Sequence, residues 1–310
     1  MRTGAARGHV GFFHETAFYG SDDEFRSIVV PFLDGGVSAR EPVLVACRPD
    51  NERLIRDAVA DVSGIVFLTG GGHYDRPTEA ILTYRKLFAS YAGVAQIRVV
   101  GDVPHPGVGA SWDWWSRYEA AVTEVFDEFP LWGLCPYDLR VTPASVLADV
   151  LRTHPRVVGV DGTHLPNPRY SSAWTLPSAD PTSLETGPPL VELTDPSPAE
   201  ARRAVTTACG AAHLSRDEVD DIVYAASEAV TNAQYHGRPP VHLRAWAGPT
   251  HVVVAVTDHG DGPQSPLAGL VPTNRTATAG VGLWLTHRTC RNVTMTRDPN
   301  GYTIRLTAGP

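Results

Sequence analysis

The chain has 310 residues, enough for two ordinary domains. Its net charge of -8 and pI near 5.8 exclude non-specific nucleic-acid binding, which needs clustered cations. Lys86 is the only lysine, so arginine carries nearly all the positive charge. Cys47, Cys135, Cys209 and Cys290 lie far apart without Cys-x-x-Cys or Cys/His ligand spacing. The sequence therefore indicates neither a zinc site nor a disulfide framework, and the thiols are expected to be reduced, as in cytoplasm. No stretch has the pattern of a signal peptide or a spanning helix, so no membrane association is expected.

Taken in order, the first half alternates strand and helix. Residues 9–14 form an apolar strand, and residues 22–33 a helix with Phe25, Ile28, Val29 and Phe32 on one face, ended by Gly35-Gly36. Strands at 42–47, 65–68 and 96–100 alternate with helices at 50–59, 78–91 and 112–129. A strand ending at Cys135-Pro-Tyr137-Asp138 and a helix at 142–153 close the half. Continuous apolar strands between amphipathic helices predict an α/β domain with a mainly parallel sheet covered on both faces. Gly70-Gly-Gly72-His73 lacks the following Lys-Ser/Thr of a phosphate loop and reads as a turn. Trp112, Trp114, Trp115 and Tyr118 gather at a helix start, either as core aromatics or as the lining of a ligand pocket. His14-Glu15 has the residues of a histidine-kinase phosphoacceptor but lies beside a strand, not in a helical hairpin.

A stretch dense in Pro, Ser and Thr follows, giving a division into residues 1–160, a linker at 161–197, and a second domain at 198–310. The second domain opens with a helix from Pro198 to about residue 212. Ser215 and Glu218 then form a capping box for a helix whose residues Val219, Ile222, Val223, Ala226 and Val230 recur at threes and fours. Strands at 241–245 and 251–257, a helix at 282–289 and a hairpin at 292–296 and 302–307 complete the pattern. Helices on one face of a mixed sheet make an α/β sandwich.

Three motifs in this domain carry chemistry. Glu228, Asn232 and His236 are four apart, so they form one polar ridge along the helix. A carboxylate beside an amide oxygen suits a magnesium ion that carries phosphates, and the carboxylate can orient or deprotonate an attacking hydroxyl. Asp258 stands at a strand end before Gly260 and Gly262, where an acid can accept from an exocyclic amine and glycines let a flat ring approach. Residues 263–279 have no periodic pattern and suit a lid. They end at Gly280-Val-Gly282, where a new helix offers free N–H groups to phosphate oxygens.

Glu228-x-x-x-Asn232, Asp258-x-Gly260-x-Gly262 and Gly280-x-Gly282-Leu resemble the N, G1 and G2 boxes of the GHKL ATPase superfamily. The helix-first layout and Ser227-Glu-Ala-Val-Thr-Asn-Ala-x-x-His236 are similar to the anti-sigma-factor serine kinases, over roughly residues 198–310. The resemblance implies ATP and Mg2+ as cofactors, with magnesium at Asn232, the catalytic base at Glu228, adenine at Asp258 and the glycines shaping the pocket. It implies a cytoplasmic regulator that binds a sigma factor or phosphorylates Ser/Thr of an anti-anti-sigma STAS-domain partner, and pairing as a homodimer. The first half resembles the MEDS sensory domain found ahead of GHKL domains in actinobacterial regulators. The carrying residues are the strand at His9, Trp115-x-x-Tyr118-Glu119, Cys135-Pro-Tyr137-Asp138 and His154-Pro155. That resemblance implies a small-molecule ligand at the N-terminal domain.

The lid contains no lysine, and Arg275 is its only cation, either reaching a terminal phosphate or standing solvated. Two other readings stay open: a non-catalytic interaction module with a vestigial nucleotide site, and a fragment of a histidine kinase.

Overall fold

A computed structural model describes residues 1–68, 76–110, 112–172, 183–265, 267–272, 281–290, 292–299 and 301–309. The chain divides into two compact units, Met1–Ala173 and Trp174–Pro310. Gly70, Gly72, His73, Arg275 and Gly280 lie outside the described residues, as do parts of the predicted lid.

In the first unit the elements run β1 Phe13–Tyr19, α1 Asp22–Ser38, β2 Val43–Ala46, α2 Pro49–Ala58, β3 Ile65–Phe67 and α3 Pro77–Ser90. They continue as β4 Ile97–Gly101, α4 Trp112–Val125, β5 Leu131–Asp138, α5 Ala144–Thr153, β6 Arg156–Val158 and β7 His164–Pro166. The seven strands lie in the order β3-β2-β4-β5-β1-β6-β7, parallel except for β7. The inner strands β1, β2 and β5 are buried along nearly their whole length, as a parallel sheet covered by helices requires.

Helix α1 runs through Gly35-Gly36 to Ser38 instead of stopping there. These glycines serve close approach: a Cβ on Gly36 would stand 2.6 Å from Val43 and 2.9 Å from the Arg98 side chain, and one on Gly35 2.9 Å from Arg98 Nη1. Arg98, on the inner strand β4, is buried; its Nε donates to Glu41 Oε2 at 2.7 Å and its Nη1 to the Phe32 carbonyl at 2.6 Å. Two glycines thus make room on a helix for a guanidinium from the sheet beneath.

The second unit comprises β8 Val191–Thr194, α6 Pro198–Cys209, α7 Arg216–His236, β9 His242–Ala247 and β10 Val252–Asp258. It ends with α8 Gly282–Thr289, β11 Asn292–Asp298 and β12 Gly301–Ala308. Strand order is β11-β12-β10-β9-β8, and every pairing is antiparallel where a mixed sheet was expected. The added strand, β8, comes from within the predicted linker, and β7 likewise takes part of that stretch into the first sheet. Proline-rich composition hid both strands, since each is short and lies at a sheet edge, where proline is tolerated.

One face of this sheet, including Leu243, Val254, Val256 and Leu306, packs on Val205, Ile222, Ala226 and Val230 of α6 and α7. Trp246, Val253 and Ala255 point to the other face and are met by Leu184, while Trp246 Nε1 donates to the Gly187 carbonyl at 2.9 Å. Arg305 and Glu185 form a nearly buried ion pair there. Among the described residues, no helix is long and apolar enough to cross a membrane.

Two stability effects follow from this packing. Replacing Glu41 with Ala leaves the Arg98 guanidinium buried without its counter-charge, and chemical denaturation is expected to show a loss of about 3–5 kcal/mol. Ser215 caps α7 through a complete capping box with Glu218, so Ser215→Ala should cost about 1 kcal/mol, read from the same denaturation curve for the second unit.

Candidate functional site

Helix α7 carries the site because two demands meet on it. Ala225, Ala226, Ala229 and Ala233 are buried against the sheet, so small side chains bring the helix close. The polar ridge then runs along the border of that face, with Glu228 and Asn232 half-buried and His236 exposed at the last turn.

Glu228 lies against the start of α8: a Cβ on Gly282 would come within 2.2 Å of Glu228 Oε2. Only a residue without a side chain leaves that carboxylate where it is. Burial raises the Glu228 carboxyl above the usual carboxylate range. The N-cap position of α8, Val281, gives no side-chain hydrogen bond to the helix, so the first backbone N–H groups of α8 have no side-chain cap.

One turn on, Asn232 Nδ2 is buried and has no hydrogen-bond partner among the described residues. An orphaned amide at such a place is costly unless a ligand or ion completes it, and a half-turn of the amide presents its oxygen instead. The donor set therefore fits a hydrated magnesium ion, which takes few protein oxygens.

Asp258, the last residue of β10, is buried. Its Oδ1 accepts from the backbone N–H of Gly260 at 2.6 Å and of Arg238 at 3.1 Å. These two bonds fix the carboxylate and leave Oδ2 as the oxygen able to accept from a ligand. Both glycines beside it are steric necessities: a Cβ on Gly237 would stand 2.4 Å from Asp258 Oδ1, and one on Gly260 2.6 Å from the same atom. Gly237 thus ends α7 and also makes room for Asp258, a role that its place after the helix does not disclose. Gly262 has φ +68°, a left-handed conformation that favours glycine.

Between these glycines Asp261 is held by two arginines: Arg297 Nη2 lies 2.6 Å from its Oδ1 and Arg238 Nη2 3.2 Å from its Oδ2. The pairing lowers the Asp261 carboxyl, the Arg297 hydrogen bond most of all. Neither arginine carries a local signal, because Arg297 comes from β11 and Arg238 from the residues just after α7. From Glu228 to Gly237 the helix advances about 13 Å, with Asn232 between the carboxylate that faces Gly282 and the glycine that faces Asp258. His236 makes no hydrogen bond to Glu228, Asn232 or Asp258, and the predicted roles of Arg275 and Gly280 fall outside the described residues.

Residues 13–155 match the family described as MEDS, the MEthanogen/methylotroph, DcmR Sensory domain. Residues 192–308 match the histidine kinase-like ATPase domain. No curated protein matches the chain. The second match begins in β8 and takes in Glu228, Asn232, Asp258 and Gly282, so the geometry above lies wholly inside it. The chain is a MEDS sensory domain followed in sequence by a histidine kinase-like ATPase domain.

Proposed function

We propose that the protein is an ATP-dependent regulator whose C-terminal domain binds Mg-ATP and whose N-terminal domain modulates that activity in response to a small molecule. The observation that carries the reading is the buried, unpartnered Asn232 amide one turn from Glu228, whose carboxylate rests on Gly282. When bound, Mg-ATP supplies the transferable phosphoryl group and the cation that offsets its charge. Asn232 holds the metal and Asp258 Oδ2 accepts from the adenine amine. The first N–H groups of α8 receive phosphate oxygens.

Glu228 is the base that takes the proton of an attacking hydroxyl. The output we infer is control of transcription in the cytoplasm: binding a sigma factor, or phosphorylating Ser/Thr of a STAS-domain antagonist. The Ser227–His236 motif supports that choice over a histidine kinase. His14 supports it too, since it is buried on β1 and unsuited to accept phosphate from a partner.

Calorimetry on the full chain tests the nucleotide site. Wild type should bind Mg-ATP at micromolar concentration, with Asn232→Ala and Asp258→Asn each weakening it by tenfold or more. Binding unchanged in both variants would remove the assignment. A separate assay tests transfer: Glu228→Gln should keep nucleotide binding while phosphorylation of STAS partners falls a hundredfold or more. Gly282→Ala, which displaces the Glu228 carboxylate, should lower it at least tenfold.

The pH dependence has a definite sign. A base must be ionised, and burial raises the pH at which Glu228 loses its proton. Transfer should therefore rise with pH through a midpoint above the ordinary glutamate range and level off beyond it. Wild-type binding without any transfer would favour a non-catalytic module that acts by sequestering its partner.

A further inference from the structure

Within the first unit, four side chains from four separate places in the chain converge in the interior. His14 is on β1, Glu119 on α4, Cys135 on β5, and His154 directly follows α5. One ligand atom from each lies within 4.8 Å of every other. His14, Glu119 and His154 are at most 1% exposed. We propose that this cluster is a binding site for a borderline divalent metal ion of the zinc type, with His14 Nε2, Glu119 Oε2, Cys135 Sγ and His154 Nε2 as ligands.

The hydrogen bonds around the cluster leave these four atoms facing inward. His154 Nδ1 lies 2.8 Å from the Val150 carbonyl, which can only accept, so Nδ1 carries the proton and Nε2 presents a bare lone pair. Glu119 Oε1 accepts from the Tyr137 hydroxyl at 2.8 Å, while Oε2 has no hydrogen-bond partner. His154 Nε2 has none either, although it stands 3.3 Å from Glu119 Oε2. Two buried acceptors aimed at each other need something positive between them. His14 Nδ1 is 2.9 Å from Thr123 Oγ1, and its Nε2 lies 3.5 Å from Cys135 Sγ.

These separations suit a metal. Tetrahedral zinc with ordinary bond lengths sets its ligand atoms about 3.3–3.6 Å apart. The Glu119–His154 and His14–Cys135 separations already match, and the remaining pairs need only draw in. The outer hydrogen bonds from Thr123, Val150 and Tyr137 are of the kind that orients metal ligands and fixes their tautomers. Charge also balances: a thiolate and a carboxylate neutralise a dication, which a buried site requires. Binding displaces two protons to solvent, that of the Cys135 thiol and the one that Glu119 and His154 share without metal.

His14 and Cys135 also line a cavity whose other walls include Phe12, Tyr84, Tyr118 and Phe126. The metal would therefore stand at the edge of an apolar chamber. The sequence argued against zinc because the four ligands have no spacing motif. They are 105, 16 and 19 residues apart, and the sheet brings them together.

The test uses the full chain, stripped with chelator and titrated with Co2+ and Zn2+. One metal per chain is expected, with a thiolate-to-cobalt charge-transfer band and the visible absorption of tetrahedral cobalt. Cys135→Ser should abolish the charge-transfer band and weaken affinity at least a hundredfold. Thr123→Val, which removes only the outer contact to His14, should weaken it by roughly ten- to a hundredfold. Cys209→Ser should leave uptake and spectrum unchanged. Circular dichroism checks that each variant is folded, and Thr123→Val carries the test if Cys135→Ser is not. Folded wild type that takes up no stoichiometric metal would overturn the proposal and assign a shared proton between Glu119 and His154 instead. Uptake that all the variants leave unchanged would also overturn it.

Discussion

The second domain depends on how closely helix α7 lies on its sheet. Ala225, Ala226, Ala229 and Ala233 form the buried stripe, and larger side chains there would lift the helix from Val254 and Val256. Small residues give little apolar area each, so Ile222 and Val230 supply the larger side chains of the contact. That close approach brings Glu228, on the border of the helix, against the start of α8. A helix standing further off would leave that carboxylate solvated and chemically ordinary.

Glycine positions around the site follow from the same closeness. Gly237, Gly260 and Gly282 each lie where a Cβ would meet a carboxylate, of Asp258 in two cases and of Glu228 in the third. Gly301 belongs with them, since its Cβ would strike the Asp258 carbonyl at 2.0 Å and its φ is +134°. The acids are thereby held without side-chain partners that would compete with a ligand. Asp258 is fixed through one oxygen only, by the backbone N–H groups of Arg238 and Gly260.

The first domain handles buried charge differently. Arg98 is enclosed by Glu41 and the Phe32 carbonyl, and Glu15 by Trp132 Nε1 at 2.7 Å, His164 Nδ1 at 2.9 Å and Arg156 Nε at 3.4 Å. Both groups are satisfied and so act as structural links between elements. Against that background the Glu119–His154 contact stands apart, since both facing atoms lack a hydrogen-bond partner.

The sequence by itself determined the helices and strands with a clear period, the capping box at Ser215, the placing of Glu228 and Asn232 on one helix and that of Asp258 at a strand end. Those signals are local: a repeat of three and four, a serine three residues before a glutamate, glycines beside an acid. Only the tertiary structure decided what close approach and long-range pairing control. It carried α1 through Gly35-Gly36 because Arg98 fills the space, and it drew β7 and β8 out of a proline-rich stretch into two sheets. It brought Arg238 and Arg297 onto Asp261, and His14, Glu119, Cys135 and His154 into one cluster. Neighbours far apart in the chain leave no periodic mark on it, so folding alone makes them visible.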